Sequence, residues 1–386
     1  MKYNFDNIPN RRGTTQIKWK VKDNELPMWV ADMDFETAPK VKEAMVKTAE
    51  LGVFGYNDTN DEFFNAYKNH WNNKHHTNLE KEDFVYVTGV IAALDIILKY
   101  IPNEGDNVIL MTPVYNAFFR CITNNKLNVL ENHLIHKDYK YEIDFDDLET
   151  KLSYKKSSVL ILCNPHNPIG KIWDRSDIEQ IISLCKKHNV VLVSDEIHCD
   201  IVSPGTEYNA IFSFEDIDEK NTIALVSSSK VFGLAGLHSA CLICKDKERR
   251  DFLEQQIYKD DVGEANSFAV CSAIAAYRDS EDWIDEVNKY MYENRLLVDS
   301  YLSKNIPELK LIRGDATYLL WIDISKTKLK SEEFAQRLRE QTGLFILPGK
   351  KYGDVGDGFI RMNIATSKEN IKDALQRLET FIASLR

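Results

Sequence analysis

The chain has 386 residues, 44% of them apolar and 28% charged, with 49 basic against 60 acidic side chains and a formal net charge of −11. That length predicts one large and one small domain, and the acidic balance excludes nucleic acid as a partner, since phosphate backbones demand a basic face. Seven cysteines scattered singly, no apolar stretch near the ~18 residues of a membrane span and no hydrophobic segment behind a basic start predict a cytoplasmic protein without disulfides or membrane contact.

From about residue 84 to 245, short apolar runs alternate with helical patterns. The pattern predicts an α/β fold, a mostly parallel sheet wrapped by helices. Phe84–Val87 passes through Thr88 and Gly89 into a helix over 90–101. The run 107–111 ends at Thr112-Pro113, and 158–163 ends at Asn164-Pro165. Next, 190–193 ends at Ser194-Asp195-Glu196, and Thr222–Val226 ends at three serines and Lys230. Ile178, Ile181, Ile182 and Cys185 fall at i, i+3, i+4 and i+7, one apolar stripe for a helix to lay on the sheet. Cys241 and Cys244 have CxxC spacing but sit in an apolar run with no second pair, which reads as core packing and no metal site. Residues 46–280 are assigned to the large domain. The smaller α+β domain takes 281–386 with the N-terminal 1–45, and it holds a strand-like run over 318–324. Thr366 followed by Glu369 predicts a capping box opening a last helix, with Ile371, Leu375, Leu378 and Ile382 on one face.

Five runs thus end in polar clusters, and in open α/β sheets ligands bind outside the carboxyl ends of the strands. Lys230, after three hydroxyl residues at a strand end, suits an aldehyde cofactor: a desolvated lysine is nucleophilic near neutral pH, and the serines can hold a phosphate. Pyridoxal 5′-phosphate is the cofactor this chemistry suggests. Asp195, 35 residues earlier at the preceding strand end, can keep a pyridine nitrogen protonated, against the plainer role of a helix cap. Asn167, in Asn164-Pro165-His166-Asn167-Pro168-Ile169-Gly170, can offer its amide to a phenolic oxygen. Free amides at Val90 and Ile91 would open a helix as an anion site. Tyr115 can lay its ring on the pyridine, or be a core aromatic. Arg361, in a strand of the small domain, is suited to grip a substrate carboxylate through two hydrogen bonds, or to sit exposed.

Taken together, TGV, TPVY, NPHNPIG, SDEIHCD, SSSKVFGLAG and a C-terminal IRMN resemble the fold type I pyridoxal phosphate enzymes of the class I and II aminotransferase superfamily, over nearly the whole chain. The segment from Met28 to Phe35, with His166 and His198, looks like the MalY/PatB branch of cystathionine β-lyase type C–S lyases. The resemblance implies Lys230 as the Schiff-base lysine and α-proton base, Asp195 at the pyridine nitrogen, Asn167 at the phenolic oxygen, Tyr115 on the ring and His198 beside the cofactor. It implies phosphate contacts from Val90, Ile91, Ser227, Ser229 and from Tyr56 of a facing subunit, hence a homodimer with a shared active site. Gly233 departs from the asparagine usual in this branch after Lys-x-Phe. The implied reaction is α,β-elimination of L-cystathionine or a related L-cysteine conjugate to pyruvate, ammonia and a thiol. An aminotransferase uses the same residues, and a regulatory protein could keep the same fold.

Overall fold

The computed structural model describes residues 2–386. Seven strands build its central sheet: β1 Phe84–Val87, β2 Asn107–Thr112, β3 Asn128–His133, β4 Ser157–Cys163, β5 Val191–Asp195, β6 Thr222–Val226 and β7 Ala240–Ile243. Their spatial order is β1-β7-β6-β5-β4-β2-β3. Only β7 runs against its neighbours, β1 and β6. Because β7 is reversed relative to both, β1 points the same way as the other parallel strands. The five runs read from the sequence therefore end on one edge of the sheet.

Burial on both faces explains why those runs are continuously apolar. Phe84, Tyr86, Ile109, Met111, Leu160 and Leu162 pack into one core, while Val85, Val87, Val108, Leu110, Val159 and Ile161 pack into another. That is the period of two, with hydrophobic residues demanded on each side. The helix α1, Val90–Tyr100, covers the second face through Leu94 and Ile97. On the first lies α2, Arg175–His188, with Ile178, Ile181, Ile182 and Cys185 buried. Cys241 and Cys244 fall in opposite cores, so their side chains cannot share one ion; all seven cysteines are free. No apolar run marks β3, which is an edge strand with a partly exposed pattern.

A second, antiparallel sheet contains β8 Lys310–Leu311, β9 Leu319–Asp323, β10 Leu347–Pro348 and β11 Phe359–Asn363, in the order β8-β9-β11-β10. The long α3, Glu281–Asn305, and the last helix α4, Lys368–Ala383, accompany it, and the four apolar residues expected on one face of α4 are all buried. The cap of α4 differs from the expectation by one residue. Ser367, not Thr366, is the N-cap, its Oγ accepting from the Asn370 N–H at 3.3 Å. Thr366 Oγ1 accepts instead from the Asn370 side chain at 2.8 Å. Serine caps as well as threonine does, so the adjacent hydroxyls compete and backbone geometry chooses.

The N-terminal segment is stitched onto this second sheet. Leu26–Pro27 pairs in parallel with Leu344–Phe345. The Asn363 N–H then donates to Met28 O at 2.9 Å, and Asn363 Nδ2 donates to Val30 O and Asp32 O at 2.5 and 2.7 Å. Beyond it the buried Asp34 accepts from Lys18 Nζ at 2.9 Å, Arg11 Nη1 at 2.8 Å and Trp19 Nε1 at 2.8 Å, while Arg11 also pairs with Asp32. Residues 26–34 form a strap across the strand ends of the central sheet.

Candidate active site

One cavity collects the strand ends. After β1 come Thr88, Gly89, Val90 and Ile91; after β2, Tyr115; from the end of β4, Cys163 and Asn167; from β5, Asp195 and His198; after β6, Ser227, Ser229 and Lys230. The first intrahelical bond of α1 runs from the Ala93 N–H to Gly89 O, which leaves the N–H groups of Val90 and Ile91 without an acceptor in the helix. Free N–H groups at the positive end of a helix dipole suit an anion. Opposite them Ser227 Oγ donates to Ser239 O at 2.6 Å and lies 2.8 Å from Ser229 Oγ. The buried Ser239 Oγ has no partner at all.

Asp195 is buried, and one carboxylate oxygen accepts from the Ile197 N–H at 3.1 Å. The cap-like contact is therefore present, though a turn follows it and not a helix. Burial pushes its carboxyl up to about 6, opposed by that N–H and by the charge of Lys230. A buried carboxylate with one oxygen uncommitted is a site for a cation. The turn carrying Asp195 and His198 is tied down at Asp200, which accepts from His70 Nε2 at 2.9 Å and His75 Nε2 at 3.0 Å.

Lys230 Nζ donates to Ala31 O, on the strap, at 2.9 Å. Burial lowers its pKa; Asp32 raises it, Arg361 lowers it and Asp195 raises it. The lysine is thus shifted toward the neutral, nucleophilic form. Asn167 Oδ1 accepts from Arg361 Nη1 at 3.2 Å, so its NH₂ group is what remains for the cavity. Arg361 is 3% exposed, which rules out a solvent-facing strand arginine. Its Nη2 donates to Trp29 O at 2.8 Å and its guanidinium lies 5.1 Å from the Tyr352 ring.

Tyr115 stands at the N-cap of Asn116–Asn124, its ring edge-on to Phe118. Burial raises its phenol, with Arg361 opposing and Asp195 adding. His198 is held well below its ordinary range by burial, then by the charges of Lys230 and Arg361, and its Nδ1 has no partner. His166 lies outside the cavity lining. Its Nε2 meets Pro113 O at 2.9 Å and burial pushes it down to about 4, a neutral tie between two strand ends. Tyr56 is fully exposed and does not line the cavity of its own chain.

Gly233 has φ +68°, and a Cβ there would meet only Met33 Cβ at 3.8 Å. Glycine and asparagine are the residues that accept this left-handed backbone most readily. The departure noted in the sequence leaves the turn intact and removes only a side chain. Six cavity residues were not among the site residues read from the sequence: Ala31, Cys163, Ile197, Ala235, His238 and Ser239. Ala31 sits in the Met28–Phe35 segment, but its contact with Lys230 spans 199 positions and has no local signature.

The model of the family Aminotransferase class I and II matches residues 25–378. Cystathionine beta-lyase PatB of Bacillus subtilis is 35% identical, across 98% of this chain and 100% of that protein. Among solved structures, cystalysin from Treponema denticola, which contains pyridoxal 5′-phosphate, superposes with a TM-score of 0.97 at 28% identity, covering 100% of both chains. The PLP-bound C–S lyase from Staphylococcus hominis gives a TM-score of 0.92 at 28% identity, over 99% of this chain and 98% of that one.

Proposed function

This chain belongs to the class I and II aminotransferase family, and from that premise we propose that it is a pyridoxal 5′-phosphate-dependent C–S β-lyase. Its substrate is L-cystathionine or a related L-cysteine conjugate. The pairing of Lys230 with Asp195 in one cavity, a nucleophilic amine and a buried carboxylate awaiting a cation, supports the cofactor, and the observation that carries the lyase reading is the 35% identity, over nearly the whole chain, to a cystathionine beta-lyase.

The residues present fit the cofactor. Val90, Ile91, Ser227 and Ser229 would hold its phosphate, Asp195 its ring nitrogen, Asn167 its phenolic oxygen and Tyr115 its ring face, with His198 alongside. When bound, pyridoxal 5′-phosphate links to amines through its aldehyde and accepts the electrons left on the substrate's Cα when a proton departs. Arg361 grips the substrate carboxylate and sets the plane in which Cα reacts. Lys230, displaced by the substrate's amine, removes the Cα proton as general base. Asp195 keeps the ring nitrogen protonated, so that electrons can be stored there. Loss of thiolate from Cβ then gives the thiol, with pyruvate and ammonia following by hydrolysis.

A homodimer with a shared active site belongs to the same proposal. Tyr56 is fully exposed beside exposed Leu51, Val53 and Phe54, an apolar patch of the kind another copy would cover. No described helix is long and apolar enough to cross a membrane, and every cysteine is free; both support a cytoplasmic setting. The test supplies L-cystathionine to the holoenzyme with no keto acid present and measures pyruvate and free thiol. Amino transfer after keto acid is added, with no pyruvate before, would overturn the lyase reading. Sedimentation that gave a monomer retaining full activity would overturn the shared site.

A further inference from the structure

We propose that His238 binds the cofactor's phosphate and supplies the positive charge that the rest of the phosphate cup lacks. The inference rests on the assignment of this cavity to pyridoxal 5′-phosphate. A phosphate monoester carries nearly two negative charges at neutral pH, yet Val90 and Ile91 offer N–H groups and Ser227, Ser229 and Ser239 offer hydroxyls. Among the cavity's side chains only Lys230, His198 and His238 can become cationic, and no arginine lines it. Lys230 is committed to the aldehyde. His198 is buried at the ring end of the cavity and held neutral. His238 remains, open to solvent on the same wall as Ser239.

Its backbone is held with unusual care. His238 adopts φ +53°, a left-handed conformation that costs a non-glycine residue. Three successive carbonyls are fixed by side chains from three different elements: Leu237 O by Asn266 Nδ2 at 2.8 Å, His238 O by Tyr86 Oη at 2.9 Å, and Ser239 O by Ser227 Oγ at 2.6 Å. These three bonds hold an otherwise unfavourable turn beside the serines of the cup, where Ser239 Oγ is left without a partner. Tyr86 on β1 bonds the His238 carbonyl and Lys230 shares its cavity; the loop bonded to Thr88 and Leu237 through Val262 and Asn266 carries the ionisable Asp261 and Glu264. Among the described residues none forms an ion pair with His238, and no side-chain bond occupies its ring.

Only the cationic form of an imidazole gives an anion a charge-assisted hydrogen bond, so anion retention that depends on His238 should weaken as pH rises across the neutral range. The test titrates sulfate, whose charge is constant there, as a competitor of pyridoxal 5′-phosphate on the full-length apoenzyme. Wild-type affinity for sulfate should fall about tenfold between about pH 6 and about pH 8.5, the size of one charge-assisted hydrogen bond. His238→Asn, which tolerates the left-handed backbone, should keep only the shallower pH slope that Asp195 and Lys230 contribute, and be as weak as the wild type at the higher pH. His238→Arg should be tight at both. Equal pH slopes in wild type and His238→Asn, or undiminished binding by His238→Asn at the lower pH, would overturn the proposal. Failure of the wild type to take up pyridoxal 5′-phosphate with a lysine-linked absorbance would instead sink the cofactor assignment, a separate outcome.

Discussion

Arg361 Nη1 donates to Asn167 Oδ1 at 3.2 Å, joining the second sheet to the loop after β4. The residue assigned to the substrate's carboxylate therefore also orients the residue assigned to the cofactor's phenolic oxygen. Arg361→Lys should raise KM for the amino acid by roughly 10- to 100-fold, because an ammonium cannot give two parallel hydrogen bonds. It should also move the pH titration of the bound cofactor's absorbance, since Asn167 loses its partner. Steady-state kinetics and a spectral titration read the two effects separately; a KM change with an unmoved titration would show that the contact carries no coupling.

Lys230→Ala should eliminate turnover together with the absorbance of lysine-linked cofactor. The side chain makes one hydrogen bond, to Ala31 O, so thermal unfolding of the apoprotein should change little. Retained turnover at the wild-type rate would refute its role as base.

Asp195 should make the apoprotein's stability depend on pH. Its folded carboxyl is pushed up to about 6, above the ~3.9 of an unfolded chain, so the native state holds the proton to higher pH. Stability from this group is greatest below the unfolded value and declines as pH rises to about 6. Apo Asp195→Asn should thus exceed apo wild type by roughly 2–3 kcal/mol at neutral pH, with the gap closing near pH 4. Urea unfolding at several pH values measures this. Cofactor affinity should move the other way, falling in the variant.

Gly233→Asn should fold and unfold like the wild type to within about 1 kcal/mol, because asparagine accepts φ +68°. Gly233→Val should lose roughly 1–2 kcal/mol or more from backbone strain alone. Equal stability of the two variants would mean that the turn relaxes out of the left-handed region.

The sequence made the central sheet legible because both its faces are buried, which turns each inner strand into an uninterrupted apolar run. Its functional edge was legible for a related reason: each run breaks abruptly into polar residues where it leaves the core, as at Asp195 and Ser227. The edge strand β3 has one neighbour and partial exposure, so it carries no such run. Ala31, His238 and Ser239 were illegible because their positions depend on contacts across the fold: Ala31 reaches Lys230 from the strap, and Ser239 meets Ser227 only after the chain turns back into β7. For Arg361, a strand position is compatible with either exposure or burial, and only the docking of Trp29 over it settles which.

The strap has a consequence for the order of events in making this protein. Leu26 finds its partner in Leu344, and Met28, Val30 and Asp32 are held by Asn363. A ribosome therefore releases the strap long before its anchor, with the whole central sheet made in between. Until residue 363 emerges, the two Asn363 bonds that flank Ala31, to Val30 O and Asp32 O, are missing. The cavity is finished only after residue 363 has been made, so a chain truncated before Phe359–Asn363 would keep every strand of the central sheet and still lack a complete site.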